Sequence, residues 1–162
     1  MRGIIIFVSF LALSGIAAQG GQIPQTFDKS SFYSVMASEN VKDVNNELRI
    51  VAATSIPEKE AYEGSLLMKK AGLLTKPADK LKFFRSGGIK LESALIKDST
   101  NGEYHFLRLT IQEHAPRVVK YFKDLEKDRH YIQVTFKDLS PAVQKAILDY
   151  CKHSKTLHAE DL

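Results

Sequence analysis

Apolar residues recur every three or four positions along most of this chain, and this spacing constrains the fold more than any other feature. Val41, Val44, Leu48 and Val51 form one such row. Residues at this spacing share one face of a helix, so each row predicts an amphipathic helix that must bury that face. Repeated rows predict seven or eight short helices, and the short turns between them predict antiparallel helical hairpins. We therefore expect an all-α fold.

Proline and small polar residues mark the expected helix ends. The capping box Ser55-Ile56-Pro57-Glu58 should begin the third helix, which should end at Gly72. The other starts are expected at Thr26 or Asp28, Ser38, Thr75 to Pro77, near Tyr104, at Pro116 and at Ser140-Pro141. The helix that starts at Pro116 should present an apolar face made of Val118, Val119, Phe122 and Leu125.

Two stretches are ambiguous by composition. Gly87-Gly88 falls inside the fourth helix, where each glycine costs roughly 1 kcal/mol relative to alanine. Either the helix breaks there or another backbone packs closely against it, and we favour a continuous helix. Tyr131 to Phe136 is rich in β-branched and aromatic residues, but an isolated strand has no partner to pair with, so we predict a helix there as well.

The N-terminus has the pattern of a secretory signal. Met1-Arg2 precedes the apolar run Ile4 to Leu13, and small residues then lead to Gly20, with cleavage after Ala18 or after Gly20. The alternative is a membrane anchor, but the apolar run is about half as long as a bilayer crossing requires. We therefore expect a signal peptide at 1–20, a lead-in at 21–27, one helical domain at 28–153 and a flexible tail at 154–162. The expected location is the periplasm or the outside of the cell, with the mature protein soluble.

Cysteine content and charge narrow the classes of protein further. The only cysteine is Cys151, so no internal disulfide is possible and stability must come from packing. A buried, inert thiol is the expected state of Cys151. The net charge of +4 is too small to indicate a nucleic-acid partner.

No motif for catalysis or for a metal or cofactor is present. Among the five histidines only His153 and His158 stand three to five residues apart, with Cys151 close to His153. They lie in or beside the expected tail, whereas zinc sites require ligands that converge from two elements. Glu113 and His114 are adjacent on an expected helix and would point in different directions. Ser86-Gly87-Gly88 lacks both the phosphate-loop motif and a preceding strand. We therefore expect a protein that is not an enzyme and has no cofactor.

Charge is concentrated in one part of the chain. Between residues 69 and 97 there are eight basic and two acidic residues, a local net charge of +6. A solvated surface is the simplest interpretation, and a basic face that meets an anionic partner is the other. The candidate binding residues of that face are Lys69, Lys70, Lys76, Lys80, Lys82, Arg85 and Lys90. Tyr62, Tyr104 and Arg108 are candidates for a concave groove of the kind that helical hairpins present to peptides.

Two resemblances are carried by short strings. Ala94 to Asn101, with Gly87, Leu91 and Ala94 at small-large-small spacing, resembles the second helix of a tetratricopeptide repeat, with Ser99 in the place of the usual proline. This resemblance covers about residues 58–125 and implies stacked helical hairpins. Glu58 to Gly64, Phe106 to Leu109 and Leu139 to Pro141 are similar to strings in small uncharacterised exported helical proteins of Gram-negative bacteria. That second resemblance implies a place in the cell envelope and no reaction.

Three functions are compatible with these features. The leading expectation is a non-enzymatic helical scaffold or binding module for another macromolecule in the cell envelope, contacted through the basic residues. The first alternative is an enzyme or small-ligand carrier with a site between helices that uses Arg108, Glu113 and His114. The second alternative is a peripheral protein that binds anionic lipid through Lys69 to Lys97.

Overall fold

A computed structural model describes residues 26–162, and the predicted signal peptide lies outside these residues. The described part is all-α, as predicted. Its helices are α1 (Lys29–Ala37), α2 (Val41–Ala52), α3 (Lys59–Leu73), α4 (Pro77–Lys97), α5 (Gly102–His114), α6 (Leu125–Thr135) and α7 (Pro141–Cys151). Single turns of tighter helix occur at Arg117–Val119, Phe136–Asp138 and Ala159–Asp161.

Helices α3 and α4 form an antiparallel hairpin whose backbones meet at two glycines. A Cβ atom added to Gly87 would lie 2.5 Å from the carbonyl oxygen of Gly64, and one added to Gly64 would lie 2.8 Å from the carbonyl oxygen of Gly87. The ion pair Lys90–Glu63, at 2.7 Å, and the pair Lys97–Glu60 flank this crossing. The expected continuous α4 is confirmed, because the close approach of α3 explains a glycine in the middle of a helix.

Helix α5 runs through the centre of the molecule. Residues 102–109, 111 and 112 are all buried, including four with polar or charged side chains. A helix that is buried on every side must pair its polar groups inside the protein. The other helices supply those partners, and around them packs an apolar core that includes Phe32, Leu66, Leu91, Ile132 and Ile147.

Helix starts and stops agree with expectation in part. Asp28 caps α1, Pro77 opens α4 and Pro141 opens α7, while Tyr131 to Phe136 is helical. The predicted capping box at Ser55 does not form. The chain turns through Pro57 and Glu58, and α3 begins at Lys59 without a side-chain cap. The cap of α2 is Asn40 instead of Ser38.

The predicted sixth helix at Pro116 is wrong. Only one tight turn forms, at Arg117–Val119, and Lys120 then adopts a left-handed conformation with φ of 53°. A left-handed residue ends a helix, so residues 120–124 lead irregularly into α6. Val118 is 84% exposed and Phe122 is 43% exposed. Val119 and Leu125 are half-buried, and Leu125 packs against the core from α6, so the four residues do not form one buried face.

The C-terminal segment differs from the predicted flexible tail. Leu157 is fully buried in the core. The carboxylate of Glu113 accepts hydrogen bonds from the hydroxyl of Ser154, at 2.9 Å, and from the backbone N–H of Lys155, at 3.0 Å. A buried leucine and a shared carboxylate hold residues 154–157 on the domain.

Candidate functional site

An open apolar cleft lies between α1, α3, α4, α5 and α7, and we call it the main cleft. Its volume is about 1080 Å³, at the upper end of the range of about 300–1,000 Å³ for sites that hold drug-sized ligands. Its large apolar lining residues include Met36, Met68, Leu73, Leu81, Phe84, Phe106, Leu107 and Ile111. A cavity of this size and polarity is suited to a ligand with a long apolar part.

One face of α7 forms a wall of the main cleft. Ala142, Ala146 and Tyr150 follow each other at intervals of four residues and line the cleft, whereas Val143 and Ile147 are fully buried in the core. Side chains four residues apart lie one above the other on a helix. The two alanines leave space along this wall, which explains why the cleft remains open beside a packed core.

The charged side chains that line the main cleft are exposed or half-buried, and none is fully buried. Lys69, Lys80, Lys145, Glu39 and Asp149 line it together with His114 and His153. Asp149 is ion-paired with both Lys145 and Lys152, and these hydrogen bonds lower the pKa of Asp149 to about 2. Lys69 is half-buried, and burial lowers the pKa of its ammonium group against the opposing charge of Glu39.

The loop after α5 separates the main cleft from a second, smaller one. Leu81, Phe84, Val118 and Val119 line both clefts, and the second has a volume of about 600 Å³. The hydroxyl of Tyr121 donates to Glu92 at 2.6 Å in the smaller cleft. Val118 and Val119 therefore form, with Leu81 and Phe84, an apolar boundary shared by the two clefts.

The lysines and arginine predicted to form one basic face are spread over several surroundings. Lys69 and Lys80 line the main cleft, and Arg85 lines the smaller one. Lys70 lies over the ring of Phe83, with the ammonium nitrogen 4.2 Å from the ring centre, and Lys90 is paired with Glu63. Lys76 precedes the first turn of α4, and Lys82 is exposed. Two of the seven therefore line the main cleft, and two others are engaged by side chains within the domain.

The predicted groove made by Tyr62, Tyr104 and Arg108 is wrong, because all three side chains are buried. Their exposed fractions are 0%, 6% and 5%. The hydroxyls of Tyr62 and Tyr33 donate to one oxygen of Glu103 at 2.6 and 2.9 Å, and Lys29 pairs with its other oxygen at 2.8 Å. Burial and the charge of Glu103 raise the pKa of both tyrosines, so this cluster keeps both hydroxyls protonated as donors.

Arg108 belongs to a second buried cluster centred on Asp128. The guanidinium contacts Asp128 through Nη2 at 2.6 Å and through Nε at 3.0 Å, and it reaches Glu92 at 2.8 Å. His105 Nδ1 lies 2.6 Å from Asp128, and the amide of Gln112 donates to the same carboxylate. Asp128 is fully buried, so a substrate cannot reach these groups in this conformation.

Glu113 and His114 point to different places, as their adjacency predicts. Glu113 holds the C-terminal segment and also accepts from the hydroxyl of Tyr150. His114 is exposed at the mouth of the main cleft, with Nδ1 2.8 Å from the carbonyl oxygen of Thr110. Of the three residues in the enzyme or carrier alternative, only His114 lines the main cleft.

Acid should release the C-terminal segment from Glu113. Burial acts to raise the pKa of Glu113, but hydrogen bonds from Tyr150, Thr156, Ser154 and the N–H of Lys155 outweigh it, so the folded pKa lies below its ordinary value of 4.5. The stabilisation is therefore complete above the unfolded pKa and is lost as pH falls through the folded pKa. We expect the amide NMR signals of Lys155 and Leu157 to shift as the pH is lowered from about 6 to about 3. The Glu113→Gln variant should lack this acid transition, and an identical transition in that variant would contradict the assignment.

The chemistry available to the described residues is limited. Burial raises the pKa of the half-buried Cys151 thiol, which keeps it protonated and weakly nucleophilic near neutral pH. Within residues 26–162, no group of three or more histidine, cysteine or acidic side chains is placed to hold a metal ion. In the same range, no helix is long and apolar enough to cross a membrane.

A site between helices was one alternative drawn from the sequence, but the position and lining of the main cleft were not predicted. A weak signal for the lining was present. The alanines at 142 and 146 and the pair Gly72-Leu73 are small or apolar positions at helix ends and on helix faces, but sequence alone does not show that five helices leave space between them. No protein-family model, curated protein or solved structure matches this chain.

Proposed function

We propose that this protein is an exported, non-enzymatic binding protein that carries an apolar ligand in the main cleft. The observation that carries the proposal is an open volume of about 1080 Å³ with a largely apolar lining, in which the charged side chains are exposed or half-buried. Each methylene group of a ligand that leaves water for such a site contributes about 0.8 kcal/mol. A ligand with an extended apolar part would gain most from this cleft.

The arrangement of charge favours this function over a macromolecular partner on a basic face. The lysines and arginine expected to act together lie in separate surroundings, and Lys70 and Lys90 are engaged within the domain. Two of them, half-buried Lys69 and exposed Lys80, line the main cleft. This distribution supports a site inside the bundle more than a broad contact surface.

The non-enzymatic part of the proposal is supported by the hydrogen bonds that engage the buried and half-buried carboxylates. Glu103, Asp128 and Glu113 all accept several hydrogen bonds from neighbouring helices or from the C-terminal segment. These hydrogen bonds join neighbouring helices and the C-terminal segment, so the three carboxylates serve the packing of the fold. Export is supported by the signal pattern at residues 1–20.

Binding of N-phenylnaphthylamine, a neutral fluorophore that brightens in apolar surroundings, tests this function. We expect saturable binding that is weakened at least tenfold by Ala146→Phe, because the added ring occupies the cleft from the α7 wall. The matched control is Leu148→Phe on the exposed side of the same helix, where Leu148 is 43% exposed, and it should bind like the wild type. Absence of saturable binding, or equal binding by the two variants, would contradict a ligand site in the main cleft.

A further inference from the structure

One half-buried lysine, Lys69, lines the main cleft and indicates which class of ligand the cleft would bind. Lys69 lies on α3 next to buried Met68, and both residues line the cleft. Its ammonium group makes no hydrogen bond or ion pair with any of residues 26–162. Every other half-buried lysine or arginine in that range has a carboxylate, a carbonyl oxygen or an aromatic ring as a partner.

A cation that loses water without gaining a partner is a cost to the fold. Burial lowers the pKa of Lys69, and the charge of exposed Glu39 opposes this shift from beyond ion-pair distance. A hydrogen bond to a charged group is among the stronger ones in proteins, and it strengthens where water is excluded. An anionic group at the edge of an apolar site would satisfy Lys69 and recover that cost.

We infer that the main cleft takes a single-chain amphiphile with a carboxylate head, with the head on Lys69 and the acyl chain along the apolar floor. This inference rests on the proposed function and names the class of ligand. A monoanion fits better than a phosphate dianion, because one half-buried lysine faces the site while Glu39 lies at the same mouth. Of the other charged residues that line the cleft, Asp149 is already paired with Lys145. Lys80 is exposed, and its long side chain could also approach the head group.

Competition against bound N-phenylnaphthylamine tests the inference with three ligands that share a chain length: laurate, dodecanol and dodecyl phosphate. Laurate should displace the fluorophore at a concentration about tenfold lower than dodecanol, which corresponds to one charge-assisted hydrogen bond. The Lys69→Met variant should lose that preference and still bind the fluorophore. Lys70→Met is the matched control, since Lys70 lies over Phe83 and outside the cleft, and it should keep the preference.

The possible outcomes distinguish an error in the class of ligand from the absence of a ligand site in the main cleft. Equal displacement by laurate and dodecanol, or a preference that survives in Lys69→Met, would overturn the inference while fluorophore binding upholds the proposed function. Tighter competition by dodecyl phosphate than by laurate would replace the carboxylate with a phosphate head. If Lys69→Met is not folded by circular dichroism, Lys69→Gln gives the same comparison with a neutral polar side chain.

Discussion

Replacing Asp128 with asparagine should lower the free energy of unfolding by about 3–5 kcal/mol. Asp128 is fully buried and lies within 3.0 Å of nitrogen atoms of both Arg108 and His105. Asparagine keeps the shape of the side chain but removes its charge, and its NH₂ group would face donors. The buried guanidinium of Arg108 would then keep ion pairs only with the partly exposed Glu92 and Asp124.

Urea denaturation of the Asp128→Asn and Asp149→Asn variants measures this effect. Asp149 is an instructive control, because it also has two cationic partners but lies at the surface. Exposed ion pairs contribute little, so the midpoint of Asp149→Asn should lie close to that of the wild type. A loss for Asp128→Asn as small as that for Asp149→Asn would contradict the role of the buried cluster in joining α5 to α6.

Two adjacent glycines of α4 should respond to alanine with opposite signs. At Gly87 the added Cβ would lie 2.5 Å from the carbonyl oxygen of Gly64 and 2.9 Å from the backbone nitrogen of Met68. Backbone atoms cannot move aside as a flexible side chain can, so α3 and α4 must separate. We expect Gly87→Ala to lower the free energy of unfolding by about 1–3 kcal/mol, even with the gain in helix propensity.

Gly88 provides the internal control for that prediction. The nearest atom to a Cβ at Gly88 is the terminal methyl carbon of Met68 at 3.7 Å, an ordinary contact distance. Gly88→Ala should therefore raise stability by up to about 1 kcal/mol through helix propensity alone. Thermal unfolding of both variants is the measurement, and destabilisation of equal size at the two positions would show that the glycines act through helix propensity or flexibility instead of close packing.

The fold class was predictable because the apolar rows specify which faces of the helices are buried. The row from Val41 to Val51 and the proline starts at Pro77 and Pro141 depend on neighbours within one or two turns, and sequence records such local effects directly. The helix at Tyr131 to Phe136 was also predictable, since no second strand was available to pair with it. The prediction of a helix after Pro116 was wrong. Val118 and Phe122 have helical spacing, but neither is buried against a neighbouring element.

The site was less predictable because it depends on contacts between distant residues. Tyr62, Tyr104 and Arg108 were predicted to line a groove, but they are buried. Their partners include Glu103, which is 41 positions from Tyr62, and Asp128, which is 20 positions from Arg108. The main cleft is formed where packing is incomplete, and no residue pattern encodes a space. Lys69 stands out within the basic stretch only in the structure, where it has no hydrogen-bond or ion-pair partner among the described residues.

An amide NMR titration of the wild-type protein with N-phenylnaphthylamine would locate the apolar ligand within the molecule. Residues around the main cleft, such as Leu73, Ile111 and Ala146, should show saturable shifts. The signal of Ile96 on the outer side of α4, which is 83% exposed, should stay unchanged. Shifts centred on Ile96 or on other exposed apolar residues, with the cleft residues unmoved, would contradict binding of an apolar ligand in the main cleft.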